Sequence, residues 1–181
     1  MIRERRLLRL KRFDVLESEL LIRGKRVRKP YIRNNNCVEI LAVTNKGKIL
    51  LERSYRPDVN SFVYEIPAGT LEKGEDPRRG AIRELEEETG YVADKMRFLF
   101  AGYPMLGYID CNSYFFLATG LRKMSQRLEN DEDIVVSEFT PEQVLMMYKS
   151  GKIKDLNVLP ALYHYLYVTK KGRRVTPYVV P

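Results

Sequence analysis

Three glutamates share one side of a short predicted helix. Glu84, Glu87 and Glu88 are spaced i, i+3 and i+4, so a helix places their carboxylates on one face. Like charges at this spacing repel one another and weaken the helix. Clustered carboxylates are also the oxygen ligands that a hard divalent cation such as Mg²⁺ prefers. The alternative is a solvated acidic face on which Arg83 pairs with Glu87, and the charge pattern alone leaves both interpretations open.

The flanking residues predict where this helix begins and ends. Asp76 is a favourable N-cap, and Pro77 suits the first helical position. Gly90 favours the left-handed conformation that follows many helices. We therefore expect a helix over residues 77–89. Its other side carries apolar residues suited to packing on a core, namely Ala81, Ile82 and Leu85.

The rest of the chain alternates between strand and helix patterns. Residues 11–32 predict a β-hairpin that turns at Arg23-Gly24-Lys25. Further strands are predicted at 38–43, 48–56, 63–69, 96–103, 113–119 and 134–139, a charged loop at 120–133, and helices at 140–150 and 156–168. Strands flanked by helices predict an α/β fold, layered as an α/β/α sandwich around a mixed sheet. A small N-terminal β region (1–36) would precede the main domain (37–181).

The composition fits one globular domain with a small appendage. The chain has 181 residues, of which 44% are hydrophobic and 31% charged. Its apolar runs fall short of the roughly 20 residues that span a bilayer. The basic segment 1–11 is followed by neither the apolar region nor the cleavage site of a secretory signal. We therefore expect a cytoplasmic protein without membrane association.

The spacing around the glutamates resembles a known signature. Gly69, Glu75 and the run Arg83-Glu84-Leu85-Glu86-Glu87-Glu88-Thr89-Gly90-Tyr91 resemble the Nudix box of hydrolases that cleave nucleoside diphosphates linked to another moiety. All constrained positions match over 23 consecutive residues, 69–91, which makes the signal highly specific. The resemblance implies a Nudix-type sandwich and a hydrolase activity.

Segments outside the box resemble the ADP-ribose pyrophosphatase subgroup. Residues 53–57 and 64–69 are similar to its Arg-Gln-Tyr-Arg and Glu-Leu-Pro-Ala-Gly segments, and residues 103–108 to its Tyr-Pro-Ser-Pro-Gly-Phe. This implies hydrolysis of ADP-ribose to AMP and ribose 5-phosphate. The chain departs from the subgroup at Ser54, Leu106 and Cys111. Other Nudix substrates, such as a GDP-sugar, NADH or a dinucleoside polyphosphate, therefore remain alternatives.

The resemblance also implies which groups bind metal. Two or three Mg²⁺ ions, with Mn²⁺ as a possible substitute, would be held by Glu84, Glu87, Glu88 and the main-chain carbonyl of Ala68. Gly69 gives the backbone freedom to turn that carbonyl toward the metal. Glu84 and Glu88 are thereby expected to be catalytic.

Three further residues are predicted to act on the substrate or water. Glu132 resembles the general base of the subgroup's acidic loop, although a solvated loop charge is an equal alternative. Arg56 is expected to contact phosphate, and Glu65 the terminal ribose or the base. For Arg56 the alternative is an ordinary surface position on a strand. Arg83 is expected to orient a glutamate, and Glu75 to connect the loop to the helix.

Charge and residue counts narrow the partners. The net charge of +8 is compatible with nucleic-acid binding or with attraction of a small polyanion, and the box favours the second, a nucleotide-sugar. A non-catalytic RNA-binding or regulatory module of the same fold is the rival class. Cys37 and Cys111 predict structural thiols or an incidental pair rather than a disulfide framework. The single histidine, His164, is predicted to have a structural role. The N-terminal hairpin resembles the piece that related enzymes exchange between subunits, so we expect a homodimer.

Overall fold

In the computed structural model, which describes residues 3–128 and 132–169, the strands form three sheets. The strands are β1 (Arg3–Arg9), β2 (Phe13–Ile22), β3 (Lys25–Asn34), β4 (Cys37–Ala42), β5 (Ile49–Arg56), β6 (Ser61–Glu65), β7 (Ala68–Thr70), β8 (Tyr91–Gly102), β9 (Ile109–Asp110), β10 (Ser113–Lys123) and β11 (Ile134–Phe139). The helices are α1 (Pro77–Thr89), α2 (Pro141–Lys149) and α3 (Val158–Tyr163), and α3 continues as a π-helix over His164–Thr169.

The central sheet is mixed and lies between helices. Its strand order is β7-β4-β10-β8, with β10 parallel to β4 and antiparallel to β8. One face packs on α1 through a cluster that includes Ile40, Ala81 and Leu85. The other packs on α2 and α3 through a cluster that includes Val144 and Leu162. The predicted α/β/α sandwich around a mixed sheet is confirmed. The third sheet, β11-β5-β6, contributes β5 residues to both clusters.

The N-terminal hairpin forms where the sequence predicts it. Arg23 (φ 50°) and Gly24 (φ 76°) both adopt the left-handed conformation, which suits the tight turn between β2 and β3. The pair is extended on one side by β1 and on the other by β9, giving the order β1-β2-β3-β9. The hairpin is thus part of a four-stranded sheet in the described ranges. The division into 1–36 and 37–181 stays a prediction.

Helix α1 has the predicted bounds because its caps form as expected. The Asp76 side chain accepts a hydrogen bond from the backbone N–H of Arg79 at 3.1 Å. Gly90 (φ 67°) ends the helix and donates its N–H to the carbonyl of Glu86 at 2.9 Å. These caps fix the ends of the segment that carries the three glutamates.

Other boundaries differ from the predictions. The strand predicted over 63–69 is divided at Ile66-Pro67, because proline has no N–H to donate to a sheet ladder. Its two parts, β6 and β7, belong to different sheets. The loop predicted from residue 120 is wrong at its start, since β10 continues to Lys123 along β8. The last predicted helix is α-helical over Val158–Tyr163 and then widens to a π-helix.

The structure shows the surroundings of the two cysteines and of the single histidine. Cys37 and Cys111 are free thiols whose Sγ atoms lie 3.7 Å apart, where the N-terminal sheet meets the central one. His164 packs against the ring of Phe100, with ring centroids 5.5 Å apart, and burial lowers the pKa of its imidazole. Across the described ranges, none of the helices combines the length and apolar character needed to cross a membrane.

Candidate active site

The three helix glutamates have different surroundings. Glu84 and Glu88, one turn apart on α1, are buried at 8% and 5% relative exposure. The side chain of Glu87 is 35% exposed. The Glu88 carboxylate accepts a hydrogen bond from the backbone N–H of Ala68 at 2.9 Å. Two of the three predicted carboxylates therefore face the protein interior rather than solvent.

Arg83 connects the box into one unit. Its guanidinium donates to both carboxylate oxygens of Glu75 at 3.0 Å, a bidentate geometry that favours strong pairing. The same side chain lies 2.8 Å from Glu84 and 3.1 Å from Glu87. The Arg83 hydrogen bonds hold the pKa of Glu75 below its usual value. Arg83 is placed to orient glutamates, and Glu75 to fasten the preceding loop to α1.

Strand β7 approaches the helix closely at Gly69. A Cβ atom added at this glycine would overlap the Glu84 carboxylate. Any other residue here would therefore displace Glu84 or the strand. The neighbouring Ala68 directs its N–H to Glu88, while its carbonyl as a metal ligand stays a prediction.

Alternate residues of β5 face the same side as α1. Leu50 packs in the core cluster that contains Leu85, whereas Ile49 and Leu51 pack in the cluster under α2 and α3. Since strand residues two apart point to the same face, the row that begins with Leu50 continues on the α1 side. Its later members are polar, namely Glu52, Ser54 and Arg56.

The two predicted substrate contacts meet each other. Arg56 donates from Nε and Nη2 to one Glu65 oxygen at 2.9 and 2.7 Å. Ser54 Oγ lies 3.3 Å from that same oxygen. The structure therefore brings Arg56 and Glu65 together on neighbouring strands. Ser54, where the subgroup has glutamine, takes part in the same group.

Glu52 is a site residue that the sequence reasoning missed. Its side chain is 3% exposed, and its Oε1 has no hydrogen-bond partner within the part of the chain that the structure describes. It lies directly across from Glu65 in the β5–β6 ladder. The available signal was alternation, because a glutamate two residues after a core leucine must point to that leucine's side of the strand.

Described residues before and after Glu132 in the sequence contact α1 and β5. Before it, the Arg127 N–H donates to the Glu87 carbonyl at 2.9 Å, and the Gln126 side chain donates to the Glu88 carbonyl. After it, Ile134 pairs with Ser54 on β5. The described residues that flank Glu132 in the sequence therefore contact the end of α1 and the polar row of β5.

Burial and mutual repulsion disfavour the charged forms of these carboxyl groups. The pKa of Glu84 is raised to about 7, chiefly by burial; Arg83 opposes this rise, and the charges of Glu87 and Glu132 contribute to it. Burial also raises the pKa of Glu88 and of Glu52, and the charge of Glu132 contributes to both. The predicted base therefore lies within electrostatic reach of the two buried helix glutamates.

The chemistry of this group suits a divalent cation. Its acidic side chains offer only oxygen ligands, and bringing positive charge among them would relieve their repulsion. In residues 3–128 and 132–169, no three His, Cys, Asp or Glu side chains are already arranged around one metal position. Arg83 and the Ala68 N–H instead compensate Glu84 and Glu88. The residues fit the cation by type and location.

Comparison with known proteins decides the family. Residues 34–162 match the NUDIX domain. The chain belongs to the Nudix family. It is 37% identical over 151 residues to a Bacillus subtilis (strain 168) protein named ADP-ribose pyrophosphatase, covering 82% of each chain. It is 36% identical over 143 residues to the methanol dehydrogenase activator of Bacillus methanolicus, covering 78% of this chain and 77% of that one.

A solved structure supports the same architecture. The crystal structure of an ADP compounds hydrolase superposes with a TM-score of 0.79, covering 96% of this chain and 95% of its own. At a sequence identity of 20%, this superposition shows a shared fold alone. Nudix hydrolases in general use a divalent metal ion, in agreement with the acidic site described above.

Proposed function

We propose that this Nudix hydrolase cleaves the diphosphate of ADP-ribose to AMP and ribose 5-phosphate and uses Mg²⁺. One observation carries the proposal: the Arg56–Glu65 pair lies on the β5 side that faces Glu84 and Glu88 on α1. One site therefore contains the Arg56 guanidinium, which can bind phosphate, and the Glu65 carboxylate, which can bind sugar hydroxyls. The acidic group that would bind the metal belongs to the same site. The similarity to the Bacillus subtilis protein supports ADP-ribose as the substrate.

Glu84, Glu87, Glu88 and the Ala68 carbonyl would hold the cation, and Mn²⁺ could substitute for Mg²⁺. When bound, the cation supplies neutralisation of the phosphoryl charges and activation of water. Arg83 would keep the glutamates correctly directed, because it already contacts Glu84 and Glu87. Gly69 leaves the space that the Glu84 carboxylate needs.

When substrate binds, Arg56 and Glu65 would exchange their contact with each other for contacts with the substrate. The guanidinium now donates two hydrogen bonds to one Glu65 oxygen. A diphosphate presents several anionic oxygens to the same donors, and Arg suits bidentate phosphate binding. Glu65 could then accept hydrogen bonds from ribose hydroxyls or the base. This exchange would couple phosphate binding to recognition of the nucleoside.

Glu132 would take the proton from the attacking water. The influence of its charge on Glu84 and Glu88 supports this role. A positioned general base of this kind typically contributes about 10²–10⁴ to the rate.

A nucleotide panel tests the substrate. The purified protein is incubated with Mg²⁺ and ADP-ribose, GDP-mannose, NADH or diadenosine polyphosphate, and the products are separated by chromatography. We expect AMP and ribose 5-phosphate to be released fastest from ADP-ribose. Glu138→Gln, an exposed change on β11, is the control for a lost charge. Faster hydrolysis of another compound would overturn the substrate assignment.

The panel also tests the rival class. A non-catalytic module would bind RNA in a salt-sensitive manner and release no product from any nucleotide with Mg²⁺. RNA binding contradicts the enzymatic proposal only if no nucleotide is hydrolysed. Glu88→Gln gives the background rate against which hydrolysis is judged.

We further propose that the protein is a homodimer assembled through its N-terminal region, residues 1–36. Large apolar side chains are exposed on β1 and β2 and just after β1, and their relative exposure lies between 41% and 61%: Leu7, Leu8, Leu10, Leu21 and Ile22. Apolar surface of this kind is typical of interaction sites. A monomer mass by light scattering at micromolar concentration would overturn this proposal.

A further inference from the structure

We propose that Glu52 is an additional acidic ligand of the divalent cation in this chain, acting alongside Glu84 and Glu88. The inference rests on the proposed function in one respect, namely that the acidic site binds a divalent cation. It adds a side chain from strand β5, which lies outside the Nudix box in the sequence. Three independent observations lead to it.

The first observation is direction. Leu50, two residues before Glu52, packs in the cluster that contains Leu85 of α1. Val136, directly across from Glu52 on β11, packs against that same cluster. Side chains paired across a ladder share a face, so both neighbours place Glu52 on the α1 side. The Glu52 carboxyl group is therefore directed toward the helix that carries Glu84 and Glu88.

The second observation is that one oxygen of the Glu52 carboxyl group is unsatisfied among the described residues. The side chain is 3% exposed, and its Oε1 lacks a hydrogen-bond partner among the described residues. A buried polar atom without a partner is costly, and a buried charge without one is far more so. A solely structural position in this strand would favour an apolar residue. The cost indicates a partner other than the described residues of the protein.

The third observation is that Arg83, Arg56 and the Ala68 N–H, which belong to the same site, have other partners. Arg83 pairs with Glu75 and contacts Glu84, and Arg56 donates to Glu65. The Ala68 N–H is used by Glu88. Each acidic neighbour of Glu52 thus has a protein partner, while Glu52 retains an open oxygen. A divalent cation would satisfy it and would offset its repulsion with Glu88 and Glu84.

The experiment measures cation binding directly and without substrate. Mn²⁺ is titrated calorimetrically into the wild-type protein, Glu52→Gln and the control Glu138→Gln, all in chelator-treated buffer. Glutamine keeps the size of the side chain and removes its charge. We expect Glu52→Gln to weaken Mn²⁺ binding about tenfold or more, in the range that changes around metal ligands produce. Glu138→Gln should stay within about twofold of the wild type.

Thermal unfolding supplies a second readout. A ligand that binds only the folded state raises the unfolding midpoint according to its affinity. We expect saturating Mn²⁺ to raise the midpoint of the wild type and of Glu138→Gln clearly, and that of Glu52→Gln much less. Should Glu52→Gln fail to fold, Glu52→Asp replaces it, because it keeps the charge but retracts the oxygens by one methylene. Its Mn²⁺ affinity should lie below that of the wild type.

The outcomes separate this inference from the proposed function. Mn²⁺ affinity and midpoint shift equal to the wild type in a folded Glu52 variant would overturn the role of Glu52 and leave the proposed function intact. A wild-type protein that binds no Mn²⁺ would overturn both. Weaker binding in Glu52→Gln alone supports the inference.

Discussion

The two layers on either side of the central sheet differ in what they bury. The layer under α2 and α3 is an apolar cluster of aliphatic and aromatic side chains. The layer under α1 begins with a similar cluster, but it continues into the buried carboxyl groups of Glu52, Glu84 and Glu88. Apolar burial favours folding, whereas buried like charges oppose it. The first layer therefore stabilises the fold that holds the second in a functional but unfavourable arrangement.

This comparison predicts that the two layers respond differently to substitution. A change in the α1 layer should affect hydrolysis more than stability, and a change in the α2–α3 layer should do the opposite. The following expectations proceed from the largest effect to the smallest.

Glu88→Gln should have the largest effect on activity. It removes a proposed cation ligand, and cation contributions of several kcal/mol correspond to a loss of turnover of roughly 10³-fold. The free energy of unfolding in chelator should change little or increase, because a buried charge is removed. Steady-state rates with ADP-ribose and denaturant unfolding check the two parts. If Glu88→Gln keeps near-full activity with Mg²⁺, Glu88 is not a cation ligand that hydrolysis requires.

Glu132→Gln should slow hydrolysis about 10²-fold or more, because it removes the proposed proton acceptor. Mn²⁺ binding should persist if the residue acts as a base. Single-turnover rates, together with a Mn²⁺ titration, measure both effects. A reduction of less than about tenfold would place the base elsewhere.

Leu162→Ala tests the opposite layer. Leu162 is 1% exposed in the α2–α3 cluster, and truncating such a leucine costs about 2–5 kcal/mol of stability. Turnover per folded molecule should stay within about twofold of the wild type, since the residue lies on the other side of the sheet. Urea unfolding and rates at low temperature measure the two quantities. A large loss of turnover with little loss of stability would contradict the proposal that the α2–α3 layer serves stability and the α1 layer serves hydrolysis.

The pH dependence of the free energy of unfolding should reveal the cost of burying carboxyl groups in the layer under α1. Burial raises the pKa of Glu84 from 4.5 to about 7, so the folded state binds more protons than the unfolded state between these values. Stability in chelator should therefore fall as pH rises from about 5 to 8, by something on the order of 1–3 kcal/mol for this group. The lowered pKa of His164 acts in the opposite direction.

Glu84→Gln isolates this contribution. The difference in unfolding free energy between wild type and variant should change with pH over that window and flatten when saturating Mg²⁺ is present. A difference that does not depend on pH in chelator would contradict the raised pKa of Glu84. Urea titrations at several pH values provide the measurement.

Local signals made much of the fold predictable. Asp76, Pro77 and Gly90 define α1 through capping preferences that act within a few residues. The Arg23-Gly24 turn and strand β11 also follow from short-range patterns. Family spacing then located the acidic group on α1. These features depend on neighbours in the sequence, which is why the sequence reveals them.

Features that depend on distant partners were less accessible. The division at Pro67 follows from β6 and β7 joining different sheets, which no local pattern specifies. The Arg56–Glu65 pair and the buried position of Glu52 arise from the alignment of β5 with its neighbours. In the sequence, Glu52 is adjacent to Arg53 and resembles half of an ordinary charged pair. Only the direction of its side chain reveals its place at the site.

The contact between Cys37 and Cys111 has a consequence for chain topology. These residues are 74 positions apart, and the whole Nudix box lies between them. A disulfide joining the two sulfurs would therefore close a covalent ring around the catalytic segment. By loop-closure entropy, such a ring would lower the entropy of the unfolded chain by the equivalent of about 4 kcal/mol. The closed loop would contain Glu52, Glu84 and Glu88, so this one bond would offset part of the cost of burying their carboxyl groups.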